Sequence, residues 1–313
     1  MEHKLFQFMH SSLHFFGRLS KRFSTSFRLH WNSPFNFLMY MFFDPASIKN
    51  KWYREIKRTQ LDGSIPLFVD RQNEIKEFFN VDNIYLLKYY LKYGFPNTDR
   101  FKIHCLRTLT AENVGPNKLK KAYDDVSFSY TLRLMLSYER YSMISDYLDF
   151  MIRDSGKSLD EFKVLDYGCG MADISLFLSY FSAGVTICDL DNERFDYVVS
   201  RFRKRGFNPN IIRITDTEIY PNLPSNKFDL VIATELFEHI RDPLKLLKNF
   251  TKSLRSGAYL FDSMGGKFER DDRPHHLREA FEIGRSKEYR DFYNNNYKQL
   301  FPEGHLRYIF KKR

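Results

Sequence analysis

Asp166, Gly168, Gly170 and Asp173 stand close together in the stretch Val164-Leu-Asp-Tyr-Gly-Cys-Gly-Met-Ala-Asp-Ile-Ser-Leu-Phe-Leu178. Val164 and Leu165 read as the end of a buried strand. The two glycines, lacking a Cβ, permit a tight turn whose backbone can approach a ligand closely. Ile174, Phe177, Leu178 and Phe181 then recur at three- and four-residue steps, so the turn opens a helix. Asp173 in the first turn of that helix repels phosphate and suits a cationic ligand. Asp189 ends a second apolar run, and its two oxygens side by side can accept both hydroxyls of a ribose. Asp191 is the neighbour that competes for this role. Further on, Glu235, His239, His275 and His276 are candidate proton acceptors. Asp271, Asp272, His275 and His276 carry metal-ligating atoms, but their clustered spacing fits no metal signature, and no metal site is expected.

Groups so far apart in sequence need a scaffold to converge. Apolar runs at residues 184–189, 210–215, 226–234 and 258–261 alternate with helical patterns, one ending near Gly206 and another carrying Leu244, Leu247, Phe250 and Leu254. That alternation predicts a doubly wound, mainly parallel α/β sheet, Rossmann-like in layout. Such sheets bind ligands outside the carboxyl ends of their strands. The proton acceptors must then follow the fourth and fifth strands, as Glu235 and His239 do, and as His275 and His276 do in the loop 265–277. Only 305–310 reads as a strand in the tail, so the sheet is expected to have one usual strand missing or displaced. N-terminal helices could cover the exposed edge, since open edges invite aggregation.

Val164-Leu-Asp-Tyr-Gly-Cys-Gly170 resembles the first motif of class I S-adenosylmethionine (SAM)-dependent methyltransferases. Four further matches follow in order: the acid Asp189, the acid Asp216, the run Phe228-Asp-Leu-Val231, and Glu235-Leu-Phe-Glu-His-Ile-Arg-Asp-Pro243. The last is similar to the ubiquinone- and menaquinone-pathway methyltransferases. Together they cover about residues 160–262. SAM carries a sulfonium and an ammonium but no phosphate, which agrees with the charge of Asp173. The resemblance implies SAM contacts at Asp166, Tyr167, Gly168, Cys169, Gly170, Asp189, Leu190, Asp216, Thr217, Thr234 and Glu235. It also implies that a segment before the first motif closes over SAM; Tyr123-Asp124 and Tyr130 resemble its tyrosines loosely. The chain departs from the pattern at Ser256-Gly257, where Pro-Gly-Gly is usual.

The acceptor is expected to be a small molecule, a glycan or a lipid-linked group, methylated at oxygen. Base-amino methyltransferases carry Asn/Asp-Pro-Pro-aromatic after the fourth strand. Ala233-Thr-Glu-Leu236 stands there instead, which argues against nucleic acid. An RNA-directed methyltransferase, and a non-catalytic binding protein on the same fold, remain the alternatives. Both would draw on the basic N-terminal part, where most of the net charge of +10 lies.

Residues 1–155 are expected to form a helical extension and 156–313 the methyltransferase domain. Within 1–43, Leu5, Met9, Leu13, Phe16, Leu19, Phe23 and Phe27 make an apolar stripe beside Lys4, Arg18, Lys21, Arg22 and Arg28. Such a stripe either packs on the protein's own core or lies on an anionic membrane surface through residues 1–30. If it binds membrane, deleting residues 1–30 abolishes sedimentation with anionic vesicles and leaves SAM affinity intact; a full-length chain that never sediments leaves only core packing. Three cysteines, Cys105, Cys169 and Cys188, show no metal spacing and cannot pair completely. They are read as reduced, and with no apolar run long enough to span a bilayer the chain is expected in the cytoplasm, with or without peripheral membrane contact.

Overall fold

A computed structural model describes residues 68–82, 139–216, 220–264, 276–301 and 308–313, with positions 84, 85, 120, 121, 123, 124, 131, 266 and 268. The amphipathic stripe, Cys105, Tyr130, Thr217, Asp271, Asp272 and His275 lie outside the described residues.

The centre of the fold is β1 (Lys163–Tyr167), buried on both faces after its first residue. It pairs in parallel with β2 (Gly184–Leu190) on one side and β4 (Phe228–Ala233) on the other. Beyond β2 lies β3 (Asn210–Ile214), also parallel, and beyond β4 lies β5 (Leu254–Asp262). β7 (Ile309–Lys312) runs antiparallel to β5, and β6 (Tyr297–Gln299) antiparallel to β7. The order is β3-β2-β1-β4-β5-β7-β6. Strand order reverses between β1 and β4, which opens a crevice at their carboxyl ends.

Alternation along β1 divides the core. Val164 joins Ile174, Ile187, Phe195 and Phe202 on one face of the sheet, whereas Leu165 and Tyr167 join Leu247, Phe250 and Leu260 on the other. The first face is covered by α2 (Glu139–Ser155), α3 (Asp173–Ser179) and α4 (Glu193–Lys204). The second is covered by α5 (Pro243–Ser253), α6 (Arg278–Gly284) and α7 (Lys287–Asn296). Local signals start these helices where the chain needs them. Asn192 accepts from the Phe195 amide at 3.1 Å, and Asp242, with Pro243 at the first helical position, accepts from the Lys245 amide at 2.8 Å.

One expectation is corrected: among the described residues the sheet lacks no strand but has seven, the last two forming an antiparallel pair. β6 escapes a sequence reading because it is three residues long and directly follows Asn294-Asn-Asn296, a run that reads as loop but ends α7. Most of the segment expected to cover the exposed edge lies outside the described residues; within it, helix α1 (Phe68–Phe79) is described. It packs on α4, where Phe78 and Phe79 meet the Tyr197 ring at 5.3 and 5.6 Å. Among the described residues no helix is long and apolar enough to cross a membrane.

Asp229 stitches the start of β4 to its neighbours. It accepts from the Lys163 amide at 2.9 Å, from Lys157 Nζ at 2.6 Å and from Arg255 Nη1 at 2.9 Å. Burial pushes its pKa up, but these donors outweigh burial and hold it below the ordinary carboxylate value of 3.8. A depressed folded-state pKa gives stability that is full above that value and is lost as pH falls through the folded one. Asp229→Asn should therefore cost about 2 kcal/mol near pH 7. The gap to wild type should close below pH 3.8 in urea melts taken across pH.

Candidate functional site

The turn after β1 is set by backbone that turns left-handed three times: Gly168 at φ 65°, Gly170 at 58° and Ala172 at 52°. The Gly168 amide donates to Cys188 O at 2.8 Å, holding the turn against β2. A Cβ at Gly168 would lie 2.7 Å from Leu236 Cδ1, so only a bare backbone leaves this space open.

The space belongs to a crevice partly open to solvent. Tyr167, Gly168, Gly170, Asp189 and Leu190 form one wall. Thr234, Glu235, Leu236, His239 and Ile240, from the segment after β4, form another. Tyr123, Arg194, Ile214 and Tyr220 complete the lining. Of the residues singled out from sequence, nine thus meet at one opening: Tyr123, Tyr167, Gly168, Gly170, Asp189, Leu190, Thr234, Glu235 and His239.

Others fall elsewhere. Asp166, 2% exposed, accepts from the Ser175 hydroxyl on α3 and does not line the crevice. Cys169 is buried, with its thiol 3.8 Å from Asp189 Oδ2. Asp216 is half-buried just beyond β3 and is not a lining residue. Burial, and then the Asp189 carboxylate, push the thiols of Cys169 and Cys188 well above their usual range, so both are poor nucleophiles. Both are free.

Asp189 carries more bonds than its sequence position suggests. Its Oδ2 accepts from the Gly170 amide at 2.8 Å, and its Oδ1 accepts from the Leu190 amide at 2.7 Å and from Arg194 Nη2 at 2.8 Å. The Asp189–Arg194 pair is buried at the edge of the crevice. A carboxylate has about four acceptor positions. Asp189 therefore cannot offer both oxygens unencumbered to a diol, as expected from sequence. A ribose hydroxyl would exchange with a present donor, and the Arg194 side chain can move where the two amides cannot.

On the far wall the chain brings together groups that sequence left apart. His239 ends the short turn Phe237–His239, and its Nδ1 lies 3.1 Å from the hydroxyl of Tyr123. The His276 ring stands perpendicular to it, centroids 4.9 Å apart. The Leu277 amide donates to Glu238 O at 2.9 Å, tying this second histidine to the turn that carries the first. Ligand atoms of Glu238, His239 and His276 lie within 4.8 Å of one another, close enough to share a cation. Tyr123 entered the sequence reading only as one of the residues that loosely resemble the segment closing over SAM, and Arg194 had no place in it. An aromatic within a tyrosine-rich segment and an Arg one turn past an acid were the available signals.

The lining fits SAM on its own terms. Bare backbone at Gly168 admits a ligand edge-on, Leu190, Ile214 and Tyr220 offer apolar surface to an adenine, and Glu235 places a carboxylate on the crevice wall.

A family model described as a methyltransferase domain matches residues 135–313. The chain is 26% identical over 156 residues to a ubiquinone biosynthesis O-methyltransferase of Vibrio cholerae, covering 50% of this chain and 62% of that protein. It is 32% identical over 100 residues to the protein of the same name in Coxiella burnetii, covering 32% of this chain and 42% of that one. The chain thus spans under two thirds of the length of these relatives, 62% and 42%. Among solved structures, a SAM dependent methyltransferase from Aquifex aeolicus matches 64% of this chain and 97% of its own, at 19% identity and a TM-score of 0.38.

Proposed function

The chain belongs to the SAM-dependent methyltransferases, and from that premise we propose that it methylates a hydroxyl of a small-molecule, glycan or lipid-linked acceptor, with His239 accepting the hydroxyl proton. The observation that carries this reading is the position of His239, on the wall of the crevice that also holds Gly168 and Asp189. The names of the similar proteins, O-methyltransferases, support oxygen as the acceptor atom.

When bound, SAM supplies a methyl group on a sulfonium, and its transfer to a hydroxyl releases one proton. The chain's own residues divide the remaining work. Gly168 and Gly170 give backbone that a ligand can touch, and Glu235 favours positive charge nearby. Tyr123 fixes the His239 ring through Nδ1; in the tautomer whose Nδ1–H donates to the Tyr123 hydroxyl, Nε2 is the nitrogen able to take a proton. His276, stacked at 20° on the Phe281 ring, is buried behind it and holds the imidazole edge in place. Leu236 and Ile240 limit water at the crevice.

Incubating the full chain with radiolabelled SAM and panels of hydroxyl, amine and RNA acceptors tests the reading. Label should pass to a hydroxyl compound. Label passing only to amines or to RNA would overturn it.

A further inference from the structure

Helix α1 precedes β1 by more than 80 residues in sequence, yet one of its side chains is linked through Arg201 to the loop that forms the crevice. Ile75 of α1 is fully buried in the core shared with α3 and α4, while Phe78 and Phe79 pack on Tyr197. That seat brings Glu74, 6% exposed, over Arg201 of α4, which is 1% exposed. Arg201 Nε donates to Glu74 Oε2 at 3.1 Å. Arg201 Nη1 donates to the backbone oxygen of Met171 and to Asp173 Oδ1, the latter at 3.1 Å. Arg205 Nη1 also donates to Glu74.

Met171 and Asp173 flank Ala172, whose left-handed φ of 52° starts α3 without a glycine. A residue with a Cβ stays in that region only where its surroundings hold it. The planar guanidinium of Arg201 does so from both sides, gripping the carbonyl before Ala172 and the carboxylate after it. Glu74 in turn fixes the guanidinium and balances its charge away from water, where an unpaired ion would be costly. The chain of contacts runs from α1 through Arg201 to the turn containing Gly168 and Gly170.

We propose that Glu74 is a positioning residue for the SAM loop. In this reading α1 is part of the cofactor site, acting through Arg201, rather than a separable cap. The proposal rests on the reading that the crevice binds SAM.

Glu74→Ala should raise the SAM dissociation constant about tenfold, the size of coupling carried by a contact network. The kcat at saturating SAM should be unchanged, because Glu74 touches neither reactant. Hydrogen exchange of the ligand-free chain should speed up at the amides of residues 169–173 and stay as in wild type across β1, β2 and β4. Glu74→Gln, which keeps a hydrogen bond to Arg201, should fall between the two. Glu77→Gln, on the exposed Glu77–Lys204 pair of the same helix, should change neither measurement. If Glu74→Ala does not fold, Arg201→Lys, which keeps the charge but loses the fork, should show the same rise in dissociation constant. Wild-type SAM affinity in a folded Glu74→Ala chain would overturn the proposal, as would protection lost uniformly through the sheet. The exchange measurement needs no ligand. A wild-type chain that failed to bind SAM would therefore refute the proposed function while leaving this coupling still measurable.

Discussion

Gly168→Val is expected to reduce SAM affinity by about 100-fold or more, equivalent to about 2.8 kcal/mol. Two effects combine at this position. The backbone sits at φ 65°, where a β-branched residue is strained. The new side chain would also meet Leu236, whose Cδ1 lies 2.7 Å from an ideal Cβ. Leu236 can swing aside, but it lines the same crevice, so either residue ends up in the space meant for ligand. Gly206 separates the two effects. Its φ is 73°, and a Cβ there would meet nothing within 4 Å. Gly206→Ala should cost about 1–2 kcal/mol of stability from the backbone alone and leave SAM affinity unchanged. Calorimetric titration of both variants with SAM, beside their urea melts, distinguishes a blocked site from a strained fold.

His239→Gln is expected to lower kcat for methyl transfer to a hydroxyl by about 10²–10⁴-fold, the usual contribution of a positioned proton acceptor. The Michaelis constant for SAM should change little. Glutamine keeps a polar group near the Tyr123 hydroxyl but cannot hold a proton. Tyr123→Phe, which removes the 3.1 Å partner of Nδ1 while leaving the base in place, should lose much less. A variant that retains wild-type kcat would remove His239 from the mechanism. His276→Ala offers an internal comparison, since it removes the buried ring behind His239 without removing the base.

What could be read from the sequence was local. Gly168 and Gly170 announced a left-handed turn because few other residues tolerate one. β1, β2 and β4 announced themselves as buried parallel strands by short, mostly apolar runs alternating with helical patterns. Asp189 and His239 could be assigned to the crevice because strand ends in such sheets converge there. The parts that escaped are pairings between distant residues. Nothing near Asp189 foretells that its oxygens are shared among the Gly170 and Leu190 amides and Arg194. Asp166 looks like a ligand contact in the motif, but the register of α3 sets Ser175 against it and turns it inward. His239 and His276 are joined only because the Leu277 amide binds Glu238 O. Glu74 meets Arg201 only because α1 packs on α4. The strand β6 was too short to carry a period, and its partner β7 supplies the hydrogen bonds that make it a strand.

The central claim is that the crevice between β1 and β4 takes SAM. Calorimetric titration of the full-length wild-type chain with SAM measures this directly. Saturable binding at one site per chain is predicted, with a dissociation constant in the range of roughly 1 μM to 1 mM typical of enzyme substrates. A chain that is folded by circular dichroism and yet gives no binding heat at millimolar SAM would contradict it.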